Sequence, residues 1–479
     1  VTGGTGTLAV ATTTNITDLT LNATGGSSFA GNVTINDLIV TAAANAVTLN
    51  GAANTFAAAV DFANTAGTIT FGDATGDQST FDAGVSVSGN QAVALQGSII
   101  TTNDAANFGT GTVTLGADSV INTGAGAGNI AIQALAGAFD LAVTGGTGTL
   151  AVATTTNITD LTLNATGGST FAGNVTINDL IMVAGTGSVT LNGTSNQFTE
   201  NVAFASTAGT VTLGNATGDT SSFIGGLDIS GDRPVALQGT VRTTNQLADF
   251  GTNTVTLGAN AEVNTNTAGG NIVFGLVTGA FDLAIRAGGG ATSFAGNVTI
   301  RDLTMVATTG SVTLNGAANT FTNEVAFASD SGTVTLGDAT GDQSTFGGGI
   351  DISGDRPVAL QGSIITTNDA VDLGTNTVTL GADSIINTDT GGGNITVGAL
   401  AGAFDLAVTG GTGTLAVAAT TNITDLTLNA TGGSSFAGNV TINDLIVTAA
   451  ANAITLNGAA NTFAAAVDFA NTAGTITFG

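Results

Sequence analysis

Hydrophobic residues along this chain come in short alternating triplets. V-x-L and its variants recur as TLAV from Thr149, SVTL from Ser188, TVTL from Thr210 and PVAL from Pro234. The two apolar residues of a triplet share one face and the residue between them points away, the period-two signature of a half-buried β-strand. Glycine, asparagine and threonine separate the triplets and supply corners. Apolar runs stay far below the roughly eighteen residues that span a bilayer as a helix. The pattern predicts an all-β, folded, water-exposed chain with no transmembrane segment in this stretch.

Repetition organises the triplets. The segment VTGGTGTLAVATTTNITDLTLNATGG begins at Val1, returns at Val143, and returns again with one change at Val408. Phe139, Phe281 and Phe404 are equivalent. The interval between the first two is 142 and that between the last two is 123, so one copy is shorter by 19. Where the full copy reads AFDLAVTGGTGTLAVATTTNITDLTLNATGGSTFAGNVTI, the shortened one reads AFDLAIRAGGGATSFAGNVTI, and Asp282-Leu283 takes the place of Asp160-Leu161. A fold that closes only at its end would not readily survive such a cut. A solenoid does, because removing one whole coil lets its two neighbours meet.

The implied coil has about 19–20 residues. Read at that period, coils start at Asp140, Asp160, Asp179, Asn201, Thr220, Thr240 and Asn260 and return to Asp282. Each coil shows two strands. The first includes DLAV, DLTL, DLIM and NVAF; the second includes TLAV, NVTI, SVTL, TVTL, PVAL and NIVF. The fold class expected is therefore all-β, a single-stranded right-handed parallel β-helix (β-solenoid). It would have about 19–22 residues per coil and about 23–24 coils, seven in a full repeat and six in the shortened one. It is read as one continuous solenoid over 1–479, without a separate globular domain. Its blocks are 1–142, 143–284, a shortened 285–407 and a partial 408–479. At roughly 4.8 Å per stacked strand this predicts a rod about 110 Å long, wound right-handed as parallel crossovers are. Both ends fall inside the array and no signal peptide is visible, so the chain reads as a piece of a longer fibre.

Composition narrows the chemistry. There is no Cys and no His, and all five cationic residues are arginine: Arg233, Arg242, Arg286, Arg301 and Arg356. Cys–His and Ser–His–Asp nucleophiles, His or Cys metal sites and catalytic lysines are thereby excluded. A net charge of −28 argues against nucleic acid as a partner. The 23 Phe, without Trp or Tyr, read as core filler. Pro234 and Pro357 share one position, in GDRPVAL, expected at the first residue of a strand where no ladder hydrogen bond is needed. Gly3–Gly6, in GGTG, reads as a turn and not as a phosphate loop, since no lysine or helix follows.

The acids repeat. Asp73 and Asp77 of GDATGD return as Asp338 and Asp342, whereas a catalytic carboxylate pair would depart from the repeat. No catalytic residue is expected, and the chain is not read as an enzyme. The column formed by Asp140, Asp160 and Asp179, and again by Asp405, Asp425 and Asp444, places like charges about 5 Å apart. One reading makes each Asp a corner cap that accepts backbone N–H bonds. The other makes the column a site for Ca²⁺ or another cation; no other cofactor is expected. Arg301, beside Asp302, would neutralise the column locally. An ice-binding row is a minor alternative. Its outward residues would be Ala151, Thr176, Thr190, Thr212, Ala236, Thr256 and Val273, a single and interrupted file. Asn-X-Thr triplets at Asn15, Asn22 and Asn32 are glycosylation acceptors in a host that performs it.

The GAFDLAVTGGTGT and FAGNVTINDL segments, the coil length and the Cys-free, Gly/Thr/Asn-rich composition resemble filamentous-haemagglutinin-type giant bacterial exoproteins. The resemblance covers the whole chain as a repeat style. It implies a right-handed β-helix, an extracellular or cell-surface location in bacteria, and a role in adhesion, aggregation or matrix formation. The function expected is a structural or adhesive segment of a very large repeat protein. Its partners would be other fibres, by self-association along or beside the fibre, or neighbouring cells and surfaces. The alternative is a passive stalk for a ligand-binding domain elsewhere; a β-helix ice-binder or polysaccharide-active enzyme is the minor one.

Overall fold

The computed structural model describes residues 1–479 except 90, 184, 186, 206–208, 230, 232, 307–308, 328–330, 353, 355, 449–450 and 452. The chain divides into two compact units, Val1–Val241 and Arg242–Gly479. Each is a parallel β-solenoid. Among the described residues there is no helix, and the turns number about 22 at about 21 residues each.

Three strands build a turn, not the two expected. In the first unit one turn carries Val47–Leu49, Ala53–Phe56 and Val60–Asp61. In the second, the equivalent turn carries Val312–Leu314, Ala318–Phe321 and Val325–Ala326. The strand that sequence reading overlooked is the middle one, because half of its inward positions are polar. Asn54, Asn196 and Asn319 point inward and are buried. Their Oδ1 atoms accept the N–H groups of Val33, Val175 and Val298. Their Nδ2 groups donate to the Gly51, Gly193 and Gly316 carbonyls and to the Ser79, Ser221 and Ser344 hydroxyls one turn on. Fully partnered, a carboxamide is tolerated in a core that would otherwise reject it.

A second correction follows. Leu150–Val152 pairs with Ser169–Phe171, which pairs with Val189–Leu191. The NVTI triplet at Val175, read from the sequence as part of this row, lies on another face and pairs with Ser195–Phe198. The Thr row changes with it. Within the first unit Ala151, Thr170, Thr190, Thr212 and Ala236 stand in file, three threonines between two alanines, while Thr176 stands elsewhere.

Vertical alignment fills the core with columns of like residues. Phe56 stacks on Phe81 at 4.9 Å and Phe198 on Phe223 at 4.8 Å. In the second unit Phe250, Phe274 and Phe294 stack at 4.7 and 5.0 Å. These spacings match the inter-strand distance, so the backbone ladder sets the ring stack. Pro234 and Pro357 sit immediately before the strands Val235–Thr243 and Val358–Leu360, where the missing N–H costs nothing. Their carbonyls accept from Val211 and Val334.

Turn lengths vary more widely than the triplet spacing suggests. A short turn carries Leu150 to its partner Ser169, whereas a long one carries Ala53 to Gln78. The long turns hold the G(D/N)ATGD loop, closed by a buried aspartate. Asp77 Oδ2 accepts the N–H groups of Asp73 and Ala74. Asp219 does the same for Asn215 and Ala216, and Asp342 for Asp338 and Ala339. The recurring acid pair is thus a loop closure. Thr220, read as a coil start equivalent to Asn201, pairs instead with Ser195 on a different face.

These long turns put the sequence repeat out of step with the helix. Val189 is the equivalent of Val47, one full repeat further along the chain. The ladder reaching Val189 comes from Val60, two faces beyond Val47, and runs through Val85, Ala106, Ile130, Leu150 and Ser169. Six turns separate Val60 from Val189. The full repeat therefore holds about six and two-thirds turns, not seven, and the second copy is displaced by one face from the first. The shortened copy lost one turn. Asp282 pairs directly with Asp302, where the first unit interposes Asp160 between Asp140 and Asp179.

Excising residues 141–160, which joins Asp140 to Leu161, is accordingly expected to preserve the far-UV β signal and protease resistance. Excising half a turn, residues 141–150, is expected to lose both. Circular dichroism and limited proteolysis of the two deletions test the turn as the unit of folding.

Candidate functional site: an acidic ladder and its groove

The predicted Asp columns exist in both units. Asp140 N–H donates to Asp118 Oδ1 at 3.1 Å and Asp160 N–H to Asp140 Oδ1 at 3.2 Å. Asp160 stands in register with Asp179. In the second unit Asp405 N–H donates to Asp383 Oδ1 and Asp425 N–H to Asp405 Oδ1, both at 3.1 Å. Asp425 stands in register with Asp444. The capping expected within each corner is realised between turns, since the N–H that Asp118, Asp140, Asp383 or Asp405 accepts belongs to the next aspartate. Asp118 and Asp383 extend the column below the residues identified from sequence.

The ladder holds acids closer than they would choose. Burial raises the Asp160 pKa above the ordinary aspartate value, and the charges of Asp140 and Glu200 add to it. Asp179 moves up through burial and then Asp160, against the Leu180 N–H it accepts. Asp405 moves up through burial, opposed by the Asp425 N–H, with Asp425 and Asp383 repelling. Among the described residues no three acidic side chains converge as a metal site would require. One acid per turn, with one oxygen turned to the next backbone N–H, spreads the ladder along the axis.

Arg301 shows what a cation does there. Its Nε donates to Asp282 Oδ1 at 2.6 Å, and its Nη2 to Asp282 Oδ2 at 2.5 Å and to Asn260 Oδ1 at 3.2 Å. Asn260, one rung below Asp282, still accepts the Asp282 N–H. Nearby, Arg286 pairs with Glu262 at 3.0 Å.

Beside Asp383, Asp405 and Asp425 lies a shallow groove of about 290 Å³. Its wall is the file of outward residues Ile385, Ala407, Thr427 and Ile446, aligned turn by turn. Ile385 is 44% exposed and Ile446 39%.

Sequence reading missed a second use of arginine. Arg233 and Arg356 are fully buried, and burial lowers both pKa values from the ordinary arginine value. They remain cations. Arg233 Nη2 donates to the Gly187 carbonyl at 2.6 Å and Nε to that of Gly209 at 3.4 Å. Arg356 does the same to Gly310 at 2.7 Å and Gly332 at 3.2 Å. In the first repeat Gln91 takes this position and is buried too. There the Asn45 carbonyl, equivalent to that of Gly187, is served by Asn64 Nδ2 at 3.0 Å. A corner carbonyl inside the wall needs a donor, and different copies supply different ones.

The Asn-X-Thr triplets are partly engaged. Asn22 Oδ1 accepts from the Thr41 hydroxyl at 2.8 Å and Asn32 Oδ1 from the Ala53 N–H at 3.1 Å. Asn15 forms a left-handed corner, φ 57°.

Comparison with protein-family models, curated proteins and solved structures gives no match. The likeness to filamentous-haemagglutinin-type exoproteins thus rests on repeat style and β-helix architecture.

Two predictions come from these sites. An aspartate whose folded pKa is raised stabilises the fold fully below the unfolded value of about 3.9, and that stabilisation is lost as pH rises through the folded pKa. Lowering pH from 7.5 towards 4.5 is therefore expected to raise the melting temperature, and D160N/D405N to shrink the rise, as read by thermal melts. Separately, R233A removes the donor to the buried Gly187 carbonyl and is expected to cost on the order of 1–3 kcal/mol locally. Hydrogen exchange of the flanking strands reads the loss.

Proposed function

We propose that this chain is a structural repeat segment of a very large secreted or cell-surface fibre protein of bacterial type. The observation that carries the reading is that the turn is the modular unit. One turn has been lost between Asp282 and Asp302 with the ladder resealed, which suits a protein whose job depends on length and repeated surface. An enzyme or a single-ligand receptor would concentrate unusual residues in one place. Here the polar devices recur with the repeat: the inward Asn, the Asp-closed loop and the acidic ladder. A charge of −28 with five arginines keeps such a segment soluble and its neighbours apart.

The test is immunogold labelling of intact producing cells with antibody to the 1–479 segment. Gold along filaments outside the cell envelope is the expected result. Labelling that requires permeabilised cells would overturn the assignment.

A further inference from the structure

We propose that the groove beside Asp383, Asp405 and Asp425 docks a segment of a partner protein that carries Arg or Lys side chains next to aliphatic ones. Two walls of different chemistry run side by side there. One is the acidic ladder. The other is the file of Ile385, Ala407, Thr427 and Ile446, whose two isoleucines are exposed large hydrophobic residues aligned on one file. Isolated exposed apolar residues need no explanation, but a file of them along an acidic edge does.

Charge selects the occupant. Asp383 and Asp405 each give one oxygen to the next turn's N–H, and Asp425 gives one to the Asn443 amide. None of the three contacts a cationic side chain among the described residues. A second copy of this chain, at −28, is repelled. A bare metal ion finds no convergent acids among the described residues. Arg301 supplies the positive example. At an equivalent stretch of ladder in the same unit, a guanidinium lies across Asp282 with two bonds and reaches Asn260 with a third. Bidentate pairing of this kind favours arginine over a point charge. The aliphatic file favours a polypeptide over a polyamine, because it offers burial to the side chains between the cations.

A similar set recurs in the first unit, with Asp118, Asp140 and Asp160 beside Val120, Ala142, Thr162 and Ile181, Val120 standing where the second unit has Ile385. Two sites per chain are therefore expected. The displacement of the repeat by one face also means that the first copy's Asp18–Asp37 rungs lie on another side of the first unit.

The test uses the full 1–479 chain and a fluorescein-labelled peptide of repeating Arg-Leu dipeptides, with repeating Arg-Ser as its charge-matched control. Anisotropy titrations should show the Arg-Leu peptide binding at two sites per chain and at least about tenfold tighter than Arg-Ser. The variant D140N/D160N/D405N/D425N keeps every ladder acceptor, as Asn260 does, and should weaken binding about tenfold or more with an unchanged far-UV spectrum. I181T/I385T/I446T places at these positions the residue found at Thr427 and Thr162. It should bring Arg-Leu down to the Arg-Ser level. Equal binding of the two peptides by the wild-type chain would mean diffuse attraction to a polyanion and would overturn the groove. Binding untouched by the four Asn substitutions would overturn the ladder's part in it.

Discussion

Everything in this protein depends on the hydrogen bonds that run from one turn to the next. The strands of a single turn have no partner strand within that turn, and they are too short and too polar to hold alone. Stacking pairs each N–H and C=O with the turns above and below, and this forces like residues into vertical files. The files are what the side chains respond to. Phenylalanine stacks on phenylalanine, inward asparagine hands its amide to a serine one turn away, and aspartate stands on aspartate.

The last of these is a conflict that the fold resolves locally. Like charges in file repel, yet carboxylates along the file gain a backbone N–H from the next rung, and in one place an arginine is spent across two rungs. Inside the wall the problem is reversed. The carbonyls of Gly187 and Gly310 are turned away from solvent, and a buried guanidinium answers them. Both cases show a rigid ladder dictating where polar groups must go and the side chains adapting to it.

Much of this was legible in the sequence because the chain repeats itself. The parallel solenoid, the coil of about twenty residues, the excised turn and the Asp file all followed from spacing. What did not follow has physical reasons. The middle strand of each turn was invisible because Asn54 and Asn196 hold inward positions that period-two reading reserves for apolar residues. Arg233 entered the sequence reading only as one of five cations because nothing in its neighbours announces a carbonyl awaiting a donor. The division of a repeat into turns was misjudged because the Asp219 loop lengthens one corner without disturbing the triplets on either side. Spacing between triplets measures chain length, not angle around the axis.

That angle gives the duplicated sequence a use beyond extending the array. With about six and two-thirds turns per full repeat, a copy advances along the axis and also rolls to the neighbouring side, as a thread advances on a screw. Asp37 and Asp179 are the same residue of the same motif, yet in the first unit they look out in different directions. Within that unit, a flat partner recognising the motif would meet it on one side and miss its twin on the next. Tandem duplication here, without any change of residue, distributes one surface around the circumference.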